Sequence, residues 1–137
     1  MKEGKNISRA LFIITIAATT IACIILRYYT EFQREHYLKP AIARHQIQKI
    51  MLSLLIYKKQ ENSYPGTRDY NYFSLSNQNN SIPIKDPWNR DYIYISPGPE
   101  GLPYRLTSYG ADGQENGMGK DEDLVSDKML IELLKEK

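Results

Sequence analysis

Residues 86–123 read DPWNRDYIYISPGPEGLPYRLTSYGADGQENGMGKDED, and they carry the strongest fold signal in the chain. Residues 92–95 alternate aromatic and β-branched side chains, and residues 104–109 again carry strand-forming side chains. The Pro- and Gly-rich residues 96–103 lie between these two segments. The pattern therefore predicts two antiparallel strands joined by a long turn.

A loop rich in oxygen ligands follows the second predicted strand. Counted from Asp112 as the first place, side chains with oxygen atoms that can bind a metal stand at the first, third and fifth places: Asp112, Gln114 and Asn116. Gly117 stands at the sixth place and the carboxylate of Asp123 at the twelfth. This spacing is close to that of a helix-loop-helix calcium site. However, a strand leads into the loop, and Lys120 occupies a ligand position. We therefore expect a calcium ion without the helix-loop-helix fold; the alternative is a solvated acidic turn.

Length, charge and motifs exclude several classes of function. The chain has 137 residues, which is room for one small domain beyond an N-terminal apolar segment. Its net charge is +2 and its basic residues are spread along the chain, so we expect no nucleic-acid partner. The single cysteine, Cys23, cannot form an intramolecular disulfide. We find no nucleophile-base pair or phosphate loop in the sequence and expect no enzymatic activity.

An apolar segment near the N-terminus predicts a membrane anchor. Residues 10–26 carry no charge. Three basic residues precede this segment, and Arg27 follows it directly. As a helix the segment would be roughly 25 Å long, near the short limit for spanning a bilayer. A cleavable secretory signal is the alternative, but no A-x-A site with a polar stretch beyond it follows the apolar run. Lysine and arginine are equally frequent on both sides, so charge does not set the orientation, whereas a calcium loop favours the outside.

A helical stem follows the anchor, so the predicted plan is an anchor at residues 1–27, a stem at 28–61 and a small β domain at 62–137. Three- and four-residue spacings place most apolar side chains of the stem on one face, which we expect to pack against the sheet. This stripe consists of Ile42, Ile47, Ile50, Met51, Leu54, Leu55 and Tyr57. Pro40 either kinks a continuous helix or begins a second one in its first turn.

The segments around the predicted strands complete the plan. Residues 66–84 form a polar loop that we expect to be packed by Tyr70, Tyr72 and Phe73. Asp86 to Asn89 predicts a turn before the first strand, with Trp88 packed over the stem.

The C-terminal residues predict a short amphipathic helix. Ser126 or Asp127 can cap a helix that runs to Lys135. Its apolar stripe consists of Met129, Leu130, Leu133 and Leu134. This helix can pack back on the sheet or bind a partner.

Five segments together resemble the C-terminal domain of the major pseudopilin of bacterial type II secretion. They are Tyr64-Pro65, Asp86-Pro87-Trp88, residues 92–98, residues 104–113 and residues 117–124. The DPW turn, the YISPG strand end, and the SYGADG and GMGKDED elements occur in the order and spacing of that family. The resemblance covers most of residues 40–124.

The resemblance implies a fold and a ligand set. The fold is α+β, with a long N-terminal helix, made of membrane segment and stem, packed by a small antiparallel sheet. A calcium ion orders the last loop in this family. Carried over, the side-chain ligands are Asp112, Asp121 and Asp123, with backbone carbonyl oxygen from Tyr109 and from Gln114.

The resemblance also implies a function. We expect a single-pass inner-membrane protein with its C-terminal domain in the periplasm, acting as a non-catalytic component of a secretion or pilus-like apparatus. Its expected partners are the membrane and other pseudopilin-like subunits or secretion machinery proteins, and it can form a homo-oligomer. The alternative is a membrane-tethered, calcium-dependent binding module that does not polymerise and uses its Tyr-rich face for a protein or glycan.

The N-terminus departs from the family pattern. Type IV pilin-like precursors are cut after a glycine that precedes an apolar residue, and a glutamate five residues into the mature chain neutralises a neighbour's amino terminus. Here Lys5 follows Gly4, and Arg9 stands at the glutamate position. A positive side chain there would meet a positive terminus in low dielectric, which is costly unless it is paired. We therefore expect the N-terminus to stay uncut.

Overall fold

The structure is a computed structural model that describes residues 2–70 and 82–135. These residues fall into two compact units, one ending at Arg34 and the other beginning at Glu35. The helices and strands in chain order are α1 (Lys2–Gln33), a π-helical segment (Arg34–Leu38), α2 (Lys39–Glu61), β1 (Ile93–Ile95), β2 (Arg105–Ser108), β3 (Leu124–Val125) and α3 (Asp127–Lys135). The predicted α+β fold is confirmed.

Helix α1 carries the predicted apolar segment, and it belongs to a helical stretch long and apolar enough to cross a membrane. The hydroxyls of Thr15, Thr19 and Thr20 each donate a hydrogen bond of 2.8 Å to the carbonyl oxygen three residues earlier. An unsatisfied hydroxyl in hydrocarbon is costly, and these bonds remove that cost. The three threonines are therefore compatible with an anchor.

Pro40 changes the type of helix rather than ending it. The π-helical segment lies directly before α2, and Pro40 lies in the first turn of α2. Proline has no N–H, and in an α-helix its ring clashes with the carbonyl four residues earlier, so a wider turn before it relieves the clash. Both outcomes predicted for Pro40 therefore hold in part: the stem is distorted there, and an α-helical segment begins.

Helix α2 forms one wall of the core. Its buried apolar side chains are Ala43, Ile47, Ile50, Met51 and Leu54. Tyr57 is partly buried and packs against them. The prediction was wrong for Ile42, whose side chain is exposed. At about 100° per residue, Ile42 lies more than a quarter turn away from the centre of the buried face.

The sheet has three antiparallel strands in the order β1-β2-β3. Tyr94 of β1 lies opposite Leu106 of β2, and Ser108 of β2 lies opposite Leu124 of β3. The first two strands lie where the alternating patterns predicted them, although each is shorter. Strand β3 was not predicted individually, because only two residues form it and they directly follow the acidic run.

Tyrosine rings fill much of the space between the stem and the sheet. Tyr70 stacks on Tyr94 with ring centroids 4.3 Å apart, and Tyr94 stacks on Tyr104 at 5.6 Å. Tyr64 meets Tyr104 edge-on at 4.8 Å. Tyr70 thus packs as predicted for its loop, whereas Tyr72 and Phe73 lie outside the described residues.

The hydroxyls of two core tyrosines are satisfied by distant residues. Tyr94 donates to the carbonyl oxygen of Pro65 at 2.9 Å, and Tyr92 donates to Oε1 of Gln46 at 2.6 Å. Burial raises the pKa of Tyr94 to about 12 and also raises the pKa of Tyr92. Each ring therefore supplies apolar area while its hydroxyl stays protonated at neutral pH.

Helix α3 begins at Asp127, as predicted, and packs back on the domain. Leu130 is buried and Met129 packs against the core. Ser126 precedes the helix, and its Oγ accepts a hydrogen bond of 2.9 Å from the N–H of Leu106. The side chain of Ser126 therefore ties the start of α3 to β2.

Candidate functional site

The turn before β1 is organised by the buried carboxylate of Asp86. Its Oδ1 accepts hydrogen bonds from the N–H groups of Trp88 at 3.0 Å and Arg90 at 2.9 Å. Its Oδ2 accepts from the hydroxyl of Ser108 at 2.7 Å. The N–H of Asn89 donates to the Asp86 carbonyl at 2.9 Å, which closes the predicted turn. One carboxylate thus joins this turn to β2.

Trp88 lies where the sequence predicted, against the stem. Its ring packs against the core, and its indole N–H donates to Oε2 of Glu35 at 3.2 Å. Lys39 pairs with the same carboxylate. This contact fixes the turn next to the first part of the stem.

The guanidinium of Arg90 holds the start of the acidic loop. Its Nη1 and Nη2 donate hydrogen bonds of 2.6 Å each to the carbonyl oxygens of Gly110 and Ala111. It also fills the space beside Gly113, where a Cβ would lie 2.5 Å from Nε. Sequence reasoning missed Arg90, because its acceptors are backbone carbonyls and carry no side-chain signal.

Two glycines let the two halves of the loop touch. A Cβ on Gly110 would lie 2.7 Å from the carbonyl carbon of Asp121, and a Cβ on Gly117 would overlap the Asp121 carbonyl oxygen. Between them the N–H of Ala111 donates to the carbonyl oxygen of Lys120 at 3.0 Å. The backbone of Asp121 is therefore enclosed on two sides, and neither glycine tolerates a side chain.

Among the predicted ligands, Asp123 is the one with an unsatisfied buried oxygen. Its Oδ1 is buried without a hydrogen-bond partner, and its Oδ2 accepts from the N–H of Asn116 at 3.0 Å. A buried carboxylate oxygen without a donor is costly, and a cation would remove that cost. Asp123 therefore fits a hard-cation site.

The other predicted ligands are engaged within the loop. Oδ1 of Asp112 accepts from the N–H of Gln114 at 3.0 Å, and the Tyr109 carbonyl accepts from the N–H of Gly113 at 3.2 Å. The carboxylate of Asp121 is paired with the ammonium of Lys120 at 2.6 and 2.8 Å. All five predicted ligands thus belong to one loop.

The three predicted carboxylate ligands are not grouped around a single point in this structure. Within residues 2–70 and 82–135, no three carboxylate, imidazole or thiol groups are placed as ligands of a single ion.

Tyr109 has a further contact that was not predicted: its hydroxyl donates to Oε1 of Glu115 at 2.6 Å. This hydrogen bond, with smaller contributions from burial and nearby carboxylates, raises the pKa of Tyr109.

Comparison of the sequence with known proteins identifies a family to which the chain belongs. The model of the family described as "Type II secretion system (T2SS), protein G" matches residues 32–127, which include most of the stem, the sheet and the acidic loop. The chain belongs to this family. Type II secretion system core protein G of Pseudomonas aeruginosa is 25% identical over 137 residues, covering 90% of this chain and 93% of that protein. The protein of the same name from Vibrio cholerae is 50% identical over 40 residues, covering 29% of this chain and 27% of that protein.

Membership of the type II secretion system protein G family confirms the resemblance drawn from the sequence. It also supports the predicted role as a structural secretion component, a pseudopilin. The alternative of a binding module that does not polymerise is not favoured by this match.

Proposed function

We propose that this chain is a membrane-anchored, non-catalytic subunit of the type II secretion apparatus. The observation that carries the proposal is the family match over residues 32–127. That range includes the stem face that packs on the sheet and the loop that encloses the backbone of Asp121, so the match covers the domain up to the start of α3.

The anchor gives the domain its place in the cell. The apolar part of α1 fits a single pass through the inner membrane, with its threonine hydroxyls satisfied inside the helix. We place the unit that begins at Glu35 in the periplasm. A calcium site favours this side, since weak oxygen sites fill where calcium is abundant.

The acidic loop is proposed as the calcium site of the subunit. Asp112, Asp121 and Asp123 would supply carboxylate oxygens, and Tyr109 and Gln114 would supply carbonyl oxygens. Calcium would contribute positive charge that offsets mutual repulsion of the carboxylates. The unsatisfied Oδ1 of Asp123 supports the assignment. The carboxylate of Asp121 would have to release the ammonium group of Lys120 in order to bind the ion.

The proposed partners are other pseudopilin-like subunits and proteins of the secretion machinery, and copies of the chain itself. Cross-linking in native membranes, followed by mass spectrometry of the linked peptides, tests this directly. We expect links from the stem to secretion-system subunits or to other copies. Exclusively monomeric chain, linked only to proteins outside the secretion apparatus, would support the non-polymerising binding module instead.

A further inference from the structure

Helix α2 and the residue before it carry a second apolar stripe, on the side turned away from the core. Its members are Leu38, Ile42, Leu52 and Ile56, which are 54%, 39%, 60% and 48% exposed. Leu38 and Ile56 are about five full turns apart, so they lie on the same line of the helix. The buried residue Ile47 lies about half a turn away from this line. Sequence periodicity detected the core-facing stripe and not this one, which we call the outer stripe.

The outer stripe is basic as well as apolar. His45 and Lys49 are exposed and lie along its centre, and Lys59 lies beside its end. Residues 38–60 contain no aspartate or glutamate. In the described part of the chain, Lys49 and Lys59 form no ion pair. Two outer stripes packed on each other would place like charges together, which opposes a symmetric stem-stem contact.

The acidic loop presents the complementary surface on the same chain. Met118 lies in the middle of the loop with 86% of its side chain exposed, so it does not pack on its own stem. Residues 112–123 hold five carboxylates against the ammonium of Lys120, so the loop stays negative even with one divalent cation bound. Methionine is flexible and polarizable, and it fits irregular apolar surfaces. Glu122 already pairs with Arg44 on the flank of its own stem at 3.5 Å.

We propose that the loop around Met118 of one copy docks on the outer stripe of a second copy. Met118 would pack against Leu52 and Ile56, and the loop carboxylates would face Lys49. Apolar burial would supply the affinity, and charge would set the partner and the register. The proposal rests on the proposed function and deepens it by naming one contact between subunits.

The contact has a consequence for assembly. Two different surfaces of the chain meet, so the contact is heterologous, and each bound copy still offers a loop and a stripe to further copies. It involves none of α1. Copies can therefore associate through this loop–stripe contact even if the positive charge of Arg9 opposes packing of the membrane segments.

Disulfide cross-linking of the full-length chain in native membranes tests the contact, in a Cys23→Ser background. Met118→Cys combined with Leu52→Cys should give a ladder of linked oligomers on oxidation. Both positions are exposed, so neither change removes core packing. Met118→Cys combined with Glu100→Cys is the matched control, since Glu100 is exposed in the β1–β2 connection and should give no ladder.

Charge reversal tests the orientation of the contact. Adding Lys49→Glu to the double-cysteine chain should remove the ladder, and adding Glu115→Lys to that variant should restore it. The control reversal is Lys85→Glu, since Lys85 is exposed and pairs with Asp91 of its own chain; the ladder should persist.

Two results would overturn the proposal. Dimers formed by Leu52→Cys alone would show that outer stripes pack on each other. Oligomers detected by a general amine cross-linker without a ladder from the double-cysteine chain would show that another surface joins the copies. In either case export of secreted proteins by the complemented strain would remain intact if the proposed function holds, so the two failures are distinguishable.

Discussion

The ammonium group of Lys120 lies 2.6 and 2.8 Å from the two carboxylate oxygens of Asp121. The loop therefore carries a cation of its own at one of the predicted calcium ligands. Asp123, by contrast, keeps one buried oxygen without a partner. If calcium binds here, it competes with Lys120 for Asp121 and satisfies Asp123.

Calcium is expected to stabilise the domain against heat. At about 100-fold excess over its dissociation constant, a ligand that binds only the folded state adds about 2.7 kcal/mol, which is several degrees in a domain of this size. Thermal melting of the full chain in detergent, with calcium and with chelator, measures the difference. Identical curves would leave an acidic turn neutralised by Lys120 and solvent.

Two variants separate the roles of the loop residues. Asp123→Ala should abolish the calcium increment while leaving the melting point in chelator nearly unchanged, because it removes one of several repelling carboxylates. Lys120→Gln should lower the calcium concentration needed for half of the increment, because the internal competitor is gone. Tighter calcium binding in Asp123→Ala than in the unaltered chain would argue against Asp123 as a ligand.

Removing the Asp86 carboxylate is expected to destabilise the domain strongly. Asp86→Ala leaves the part-buried N–H groups of Trp88 and Arg90 and the buried hydroxyl of Ser108 without their acceptor, and we expect a loss of about 3 kcal/mol in the free energy of unfolding. Urea unfolding of the full chain in detergent measures it. The exposed neighbour Asp91 is the control, and Asp91→Ala should cost less than about 0.5 kcal/mol.

The sequence predicted those elements that are determined by neighbouring residues in the chain, namely β1 and the turn before it. Alternation of tyrosine and isoleucine predicted β1, and the turn-forming residues Asp86, Pro87 and Asn89 predicted the turn. Strand β3 depends instead on pairing of Leu124 with Ser108, a contact between residues far apart in sequence. Ile42 was assigned to the core stripe from its apolar character, although the helical step of about 100° per residue places it more than a quarter turn from the centre of that face.

The candidate site was predicted as a loop but not as a set of contacts. The order of aspartates and glycines located it. Arg90 donates hydrogen bonds to two backbone carbonyls, and Lys120 pairs with Asp121. Both contacts depend on the tertiary path of the loop, which the spacing of residues in the sequence does not encode. The absence of space for a Cβ between Gly117 and the Asp121 carbonyl oxygen likewise depends on how the loop closes.

High pH is expected to unfold the domain through its tyrosine core. Burial raises the pKa of Tyr94 to about 12 and raises the pKa of Tyr70, Tyr92 and Tyr104 as well. In the unfolded chain tyrosine has a pKa of about 10. The folded state thus holds these protons more tightly, and its stability is complete below pH about 10 and falls as pH rises above that value.

Tyrosinate absorbance and circular dichroism, followed together from neutral to alkaline pH, measure this effect. The core tyrosines should ionise only together with loss of secondary structure. Ionisation of every tyrosine near pH 10 with the fold intact would show that burial does not protect the cluster.

The N-terminus is expected to remain uncut, because Lys5 follows Gly4 where an apolar residue is needed and Arg9 replaces the glutamate. Mass spectrometry of the chain purified from membranes should show the terminal residues before Lys5. A mature chain that begins at Lys5, above all with a methylated amine, would contradict this and restore ordinary processing. Gly4→Ala is the control, since it should leave the mass unchanged apart from the substitution.

Export of secreted proteins measures whether this chain works in the type II secretion apparatus. In the source bacterium, deletion of the gene should leave substrates of type II secretion inside the cell envelope, and a plasmid copy of the full chain should restore their release into the medium. A plasmid copy with Asp86→Ala should restore less, in proportion to the folded protein it supplies. Normal release of these substrates from the deletion strain would contradict the account.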